Sequence, residues 1–392
     1  MNPPTRRVFL TQLALGGSII LGGRLWAADS STSGGGGLVP LAPPDKQPPD
    51  LEMPPITKPV GWAIVGLGKL ALEEIMPAFA QCHTAKPVAL VSGHPDKARK
   101  VAKAYDIPEE NIYNYENYDE MAKNPAIQIV YIVLPNHMHA EYTIRALKAG
   151  KDVLCEKPMA ATVQEAEQMI AVARETKRQL MIAYRLHYEP YNQTVIKMCQ
   201  DQELGRIKTF TAENSQDVQP PNIRLSKETA GGPLGDIGVY CINAARYVTG
   251  EQPIEVSAFA RQPQDDPRFR EVPETINFLM RFPSGVMADC TCCFGAAESR
   301  RFRVTCEKGY IDLDSAFAYR GQRLKVRRDK EVEELLIDPV DHFAAEMDHF
   351  SESVIHGHAC HTPGEMGLAD MQVMEAIKKS IASGKAEKVA GA

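Results

Sequence analysis

Lys157 closes the run Cys155-Glu156-Lys157-Pro158, which follows a short apolar stretch at Val153 and Leu154. It therefore places an ammonium at the end of a strand. Far downstream, Gly231-Gly232-Pro233-Leu234-Gly235-Asp236-Ile237-Gly238-Val239-Tyr240 sets a carboxylate and a phenol four residues apart, the spacing of neighbours on one helix face. The glycines ahead of them let backbone approach a ligand. Oxidising an alcohol needs a base for the hydroxyl proton as hydride leaves, and reducing a carbonyl needs the same group as an acid. A tyrosine, which ordinarily ionises near pH ~10, is a poor base at neutrality, but a nearby ammonium favours its phenolate. The expectation is that Tyr240 transfers the proton, Lys157 tunes it and orients substrate, and Asp236 fixes a substrate hydroxyl or the lysine. The structural alternative makes Tyr240 a half-buried core residue and Asp236 a helix cap.

Such chemistry requires a hydride carrier, and Gly66-Leu67-Gly68-Lys69-Leu70-Ala71 offers a site for one. The run follows an apolar strand and opens a helix, the context in which backbone N–H groups meet a pyrophosphate. Enzymes that take NAD place an Asp or Glu at the tip of the second strand to accept from the ribose hydroxyls. Here that tip reads Val91-Ser92-Gly93-His94 and carries no acid, while Lys97 and Arg99 follow. Asp96 reads as a helix-start residue. Small donors and positive charge suit an added phosphate, so NADP is expected over NAD. Leu134-Pro135-Asn136-His137-Met138-His139 lies beyond the central strand at its carboxyl end, where ligands of such sheets bind. Asn136 is expected to start the next helix and His139 to border the nucleotide; a zinc reading of His-x-His lacks a third ligand.

The elements that position these residues follow from periodicity. Strands are expected at 60–65, 88–92, 127–134, 152–155 and 179–183, alternating with helices at 70–81, 95–105, 139–149 and 163–176. That alternation predicts a doubly wound parallel sheet over 59–183. From 184 onward a helix at 191–199 precedes strands at 207–212, 254–261, 275–282, 286–294 and 302–306. Turns such as Phe282-Pro283-Ser284-Gly285 predict a mainly antiparallel open sheet. Helices at 341–354 and 365–383 complete a C-terminal domain over 184–392, expected to carry substrate contacts and oligomerisation.

With 44% hydrophobic and 24% charged residues, the 392-residue chain has the balance of a folded protein with two domains' worth of core. A net charge of -6 with scattered Lys and Arg gives no surface for nucleic acid and none for an acidic membrane. At the front, Thr5-Arg6-Arg7-Val8-Phe9-Leu10, an apolar run from Leu13 to Gly23 and the small residues Ala27 and Ala28 read as a twin-arginine export signal over 1–28. A periplasmic enzyme, exported folded with its nucleotide and not anchored afterwards, is the expectation. Residues 29–58 are rich in Pro, Gly and Ser and form a linker or an arm laid on a neighbouring subunit. The nine cysteines show no paired framework, and Cys290, Cys292 and Cys293 read as structural thiols on a strand, with no metal expected.

In their order, the Gly66 turn, Glu156-Lys157-Pro158 and the Asp236 segment resemble the Gfo/Idh/MocA oxidoreductase family, which includes glucose-fructose oxidoreductase and inositol dehydrogenase. Tyrosine at Tyr240, where most members have His, is similar to the glucose-fructose oxidoreductase branch, as are Ser92 to Ala98, Tyr184 to Tyr188 and Pro363-Gly364-Glu365. The resemblance implies tightly held NADP, an open sheet used for subunit packing, a homo-oligomer such as a tetramer, and an N-terminal arm near the nucleotide. It places Gly66, Gly68, Lys69, Leu70, Gly93 and Pro135 at the cofactor, and Ser92 and Lys97 at its 2′-phosphate. Tyr115, Asn136, His139, Glu156, Arg185 and Tyr188 would line cofactor or sugar, and Arg224 matches an arginine of that branch. Ile223, however, stands where the branch has an aromatic residue beside the nicotinamide, which leaves the acceptor sugar open. The implied reaction oxidises an aldose at C1 to a lactone on bound NADP and then reduces a second sugar. Alternatives are a sugar dehydrogenase with dissociable NAD(P), an NAD-dependent glycosidase and a binding or regulatory protein on this scaffold.

Overall fold

A computed structural model describes residues 58–391; the expected export signal and all of the expected arm but Lys58 lie outside the described residues. The first sheet is built from β1 (Val60–Val65), β2 (Ala85–Val91), β3 (Ile112–Tyr113), β4 (Ile129–Ile132), β5 (Asp152–Glu156) and β6 (Leu180–Ala183). Every residue of β1, β4, β5 and β6 is buried, as befits strands covered by helices on both faces. The strands are parallel in the order β3-β2-β1-β4-β5-β6, so the strand order reverses between β1 and β4. In such sheets the crevice at that reversal is where ligands bind.

The connection after β1 departs from the uniform helix expected over 70–81. A π-helical turn, Ala71–Ile75, runs into the short α1 (Met76–Ala78) and a 3₁₀ turn, Phe79–Gln81. Helices α2 (Pro95–Ala104), α3 (His139–Lys148) and α4 (Val163–Thr176) follow the expected periodicity. Pro95 suits the first turn of α2, and a capping box between Thr162 and Glu165 starts α4. Asn136 does not cap α3; it opens a 3₁₀ turn, Asn136–Met138, and sends its side-chain amide to Ala230 O instead.

After a 3₁₀ turn at Arg185–Tyr188 comes α5 (Pro190–Gln200), capped by Glu189, whose carboxylate accepts from Tyr191 N and Asn192 N. The second sheet then begins with β7 (Ile207–Asp217). A π-helical turn at Leu234–Gly238 leads into α6 (Val239–Thr249). The sheet continues with β8 (Glu255–Arg261), β9 (Thr275–Arg281), β10 (Met287–Cys293), β11 (Gly295–Cys306), β12 (Gly309–Asp314), β13 (Arg323–Arg328) and β14 (Glu331–Leu335). Then come α7 (His342–His356), α8 (Gly364–Ser383) and a short edge strand, β15 (Glu387–Lys388). Its order is β14-β13-β12-β11-β7-β10-β9-β8-β15, antiparallel except where β10 runs parallel to β7. The sequence reading has no strands between 306 and 341, because β13 and β14 are dominated by charge: Leu324 and Val326 alone turn inward on β13.

The C-terminal helices do not stay with the second sheet. Trp62 of β1 donates its indole N–H to Ser351 Oγ of α7 at 3.1 Å and packs edge-on against Phe350. Asp348 of α7 accepts from the backbone of His83, Thr84 and Ala85 ahead of β2. Thus α7 covers the back of the first sheet, and a division of the chain at 184 does not separate two independent cores. Among the described residues no helix is long and apolar enough to cross a membrane. All nine cysteines are buried free thiols.

Candidate active site

A cleft of about 510 Å³ runs from the β1 turn across the carboxyl ends of β4 and β5 to the π turn at Leu234–Gly238. Its volume lies in the range of ordinary ligand sites. At one end, Gly66 has φ +94° and sits so close to Val133 that a Cβ would lie 2.3 Å from that carbonyl oxygen. Only glycine fits there. Gly68 borders open space, and Lys69 and Leu70 complete the rim. Ser92 is buried and its Oγ accepts from His94 N at 3.1 Å, leaving its own proton to donate. The Lys97 ammonium arches over the turn to Leu67 O at 3.2 Å. Gly93 lies against the ring of Tyr115. A glycine cradle bordered by a serine and a lysine fits a dinucleotide that carries an additional phosphate.

Arg99 does not join this end. It pairs with Asp96 and Glu109 on the surface, which satisfies its charge away from the cleft. His139 borders the cleft with both ring nitrogens 2.8 Å from carbonyls, those of Pro158 and Leu134, tying the loop after β4 to the loop after β5. Burial pulls its pKa down against these two bonds.

The reacting end is a cluster of charge. Lys157 Nζ donates to the backbone carbonyl of Asp236 at 2.7 Å and lies 3.6 Å from Asp236 Oδ1. Asp236 Oδ2 accepts from Arg224 Nε at 2.7 Å and from Gln216 Nε2 at 3.1 Å. Burial alone would raise the Asp236 pKa, but Arg224 and Lys157 outweigh it and hold the carboxyl below its usual range. Tyr240 follows one turn later and stacks on Phe317, with ring centroids 5.9 Å apart. Lys157 Nζ is 4.6 Å above the centroid of the Tyr240 ring, a cation–π position rather than a bond to the hydroxyl. The group that does reach the hydroxyl is Arg185, whose Nη2 is 3.4 Å from it.

Most residues singled out in the sequence line this one cleft: Lys157, Asp236 and Tyr240 at one end, the Gly66 turn, Ser92, Gly93, Lys97 and Tyr115 at the other, with Pro135, Asn136, His139, Glu156, Arg185 and Arg224 between. Tyr188, like Arg99, lies outside it. Its hydroxyl lies 3.8 Å from Met181 Sδ and its ring packs on His349 and His361, because the 3₁₀ turn that carries it is drawn under α7. Tyr188, expected at cofactor or sugar, thus does not line this cleft. Residues the sequence reading misses are Asn214 and Gln216 on β7, Arg300 on β11, Phe317 and Tyr319 after β12, and Phe343 on α7. No local spacing marks them, since each arrives through a pairing or packing contact distant in sequence.

The fold and cleft define a two-domain oxidoreductase built around a dinucleotide. The model of the oxidoreductase family with an NAD-binding Rossmann fold matches residues 60–184, and that of the GFO/IDH/MocA C-terminal domain matches 192–312. The chain belongs to the Gfo/Idh/MocA oxidoreductase family. It is 39% identical to an aldose-aldose oxidoreductase from Caulobacter crescentus solved with glycerol, with a TM-score of 0.83 over 84% of this chain and 100% of the other. A 3-ketoreductase from Actinomadura kijaniata in complex with NADP and TDP-benzene is 27% identical, with a TM-score of 0.74 over 82% of this chain and 98% of that one. D-xylose 1-dehydrogenase [NADP(+)] of Haloarcula marismortui is 29% identical over 327 residues, 81% of this chain and 90% of the relative.

Proposed function

We propose that the protein is an exported, periplasmic sugar oxidoreductase that keeps NADP bound, oxidises an aldose at C1 to a lactone and then reduces a second sugar. One observation carries this reading: Tyr240, Lys157 and Asp236 converge at one end of a cleft whose other end is the Gly66 cradle with Ser92 and Lys97. NADP, when bound, supplies the hydride acceptor for the first sugar and the donor for the second. Gly66, Gly68, Ser92 and Lys97 hold it. Tyr240, as phenolate, takes the C1 hydroxyl proton as the hydrogen departs with its electron pair. It returns that proton to the carbonyl oxygen of the second sugar, so the tyrosine ends the cycle as it began. Asp236, ionised between Arg224 and Lys157, accepts from a sugar hydroxyl and aligns C1. The similarity to an aldose-aldose oxidoreductase supports both halves of the cycle. Phe259, Leu279 and Met287, exposed on one face of β8, β9 and β10, give the assembly of a homo-oligomer an apolar surface.

The test is the absorbance spectrum of the purified protein together with assays of aldose pairs without added nucleotide. Bound NADP and turnover are expected. Tyr240→Phe should keep the bound nucleotide and lose about 10²–10⁴ in turnover, the usual contribution of a general acid–base group. Unchanged turnover removes Tyr240 from the mechanism. A second reading, a dehydrogenase that releases its nucleotide each cycle, is favoured by the similarity to D-xylose 1-dehydrogenase. It predicts activity only when NADP is supplied.

A further inference from the structure

Among the ionisable groups around the reacting end, Arg185 has an unusual setting. It is 3% exposed, and its guanidinium donates to Phe317 O at 2.7 Å, Ala318 O at 3.2 Å and His342 Nδ1 at 3.3 Å, besides the Tyr240 hydroxyl. Tyr319 and Phe343 cover its faces, with the guanidinium carbon 4.6 Å and 5.8 Å from their ring centroids. Its Nε has no partner. None of these neighbours is a carboxylate, so among the described residues a buried, permanent cation has no acidic side chain bonded to it.

The acids nearby do not answer the charge. Glu346 on α7 is wholly buried and neither carboxylate oxygen has a hydrogen-bond partner. Burial, and then Glu156, push its pKa well up. Glu156 accepts from Tyr131 OH at 2.8 Å and from Lys157 N at 3.3 Å, and burial pushes its pKa up against the pull of Lys157, so it is engaged away from the guanidinium. Burial and Arg185 hold the His342 imidazole well below its ordinary value, which keeps it neutral. Asp236 is ionised but committed to Arg224 and Lys157. Beside Tyr240 stand the cations Lys157, Arg185 and Arg224, and the anion Asp236 is shared by the first and the last of them. Lys157 has given its hydrogen bond to the Asp236 carbonyl and faces the phenol ring, not its oxygen.

We propose that Arg185 is the positioning residue for proton transfer: it bonds the Tyr240 oxygen, holds that oxygen as phenolate in the ready enzyme and directs its free lone pair toward the sugar hydroxyl. No carboxylate among the described residues bonds the guanidinium, which leaves its charge available to that phenolate. Lys157 is left to orient Asp236 and the substrate. The proposal rests on Tyr240 as the proton-transfer group.

The experiment is a pH titration of tyrosinate absorbance on the nucleotide-loaded protein, taken as the difference between the natural protein and Tyr240→Phe. The natural protein is expected to show one tyrosinate at neutral pH that Tyr240→Phe lacks. In Arg185→Met the same signal should appear only at alkaline pH, and kcat at neutral pH should fall about tenfold or more, recovering as pH rises, with KM changed much less. Arg185→Lys should restore part of the signal, and Lys157→Met should leave it in place while turnover is lost. No tyrosinate difference between the natural protein and Tyr240→Phe at neutral pH overturns the proposal, even if the arginine variants fail to fold. A signal that moves in Lys157→Met and not in Arg185→Met overturns it too. Failure of sugar turnover with the tyrosinate pattern intact would instead strike the proposed reaction and spare Arg185.

Discussion

At the scale of single residues, chemistry and stability are carried by different histidines and acids. His187 is buried, donates its Nε2–H to Asn243 Oδ1 at 3.0 Å, and stands edge-on to Tyr247 and near His361. Burial lowers its pKa to about 4, despite the bond to Asn243. The unfolded chain binds a proton there near the ordinary value of ~6.5, so between that pH and about 4 the unfolded state takes up more protons than the folded one. Stability should therefore fall as pH drops through this window, by on the order of 3 kcal/mol from this group. Urea unfolding at several pH values should show a shallower acid loss in His187→Gln; an unchanged slope would assign the loss elsewhere. Lys157, Asp236 and Tyr240 are legible from residue type and spacing because each stands at a local break, a strand end or a glycine-rich turn. Arg185 stands in such a break too, but its bond to Tyr240 depends on residues 132 to 157 positions away in sequence that fix its guanidinium.

At the scale of elements, two π-helical turns flank the cleft, Ala71–Ile75 beyond the nucleotide cradle and Leu234–Gly238 bearing Asp236. Such turns insert a residue into a helix and recur at functional sites. In the second, Gly238 packs so that a Cβ would lie 2.9 Å from Cys292 Sγ, which seats the turn directly on β10. Helix α6, which follows, is clamped to α8 by the buried ion pair of Arg246 and Asp370, with Asn243 Nδ2 adding a bond to Asp370 at 2.9 Å. Removing one partner strands the other charge in the core, at a cost of about 3–5 kcal/mol. Asp370→Ala should lose that much in denaturant unfolding and loosen the helix that carries Tyr240; a loss near zero would show the clamp to be idle. Most strands and helices of the first sheet are readable from apolar runs, whereas β12, β13 and β14 are not, because their outward faces are charged and successive pairing, β12 on β11, β13 on β12 and β14 on β13, defines them.

At the scale of the whole molecule, the twin-arginine reading makes a prediction of its own. Replacing both Arg6 and Arg7 by Lys should keep the precursor in the cytoplasm, still beginning at Met1, while its nucleotide-bound spectrum is unchanged. Export undiminished in that variant, judged by fractionation, removes the localisation from the proposal. The sequence by itself determined the order of most elements, the parallel first sheet, the glycine turn and the acid-free tip at Ser92, since each follows from local periodicity or from a backbone conformation only certain residues adopt. Only the tertiary structure decided which charges meet. It set Lys157 over the ring of Tyr240 and Arg185 on its oxygen, drew Tyr188 under α7 and brought α7 back onto the first sheet. Those outcomes depend on packing between segments far apart in the chain, where burial fixes which partner each polar group can reach.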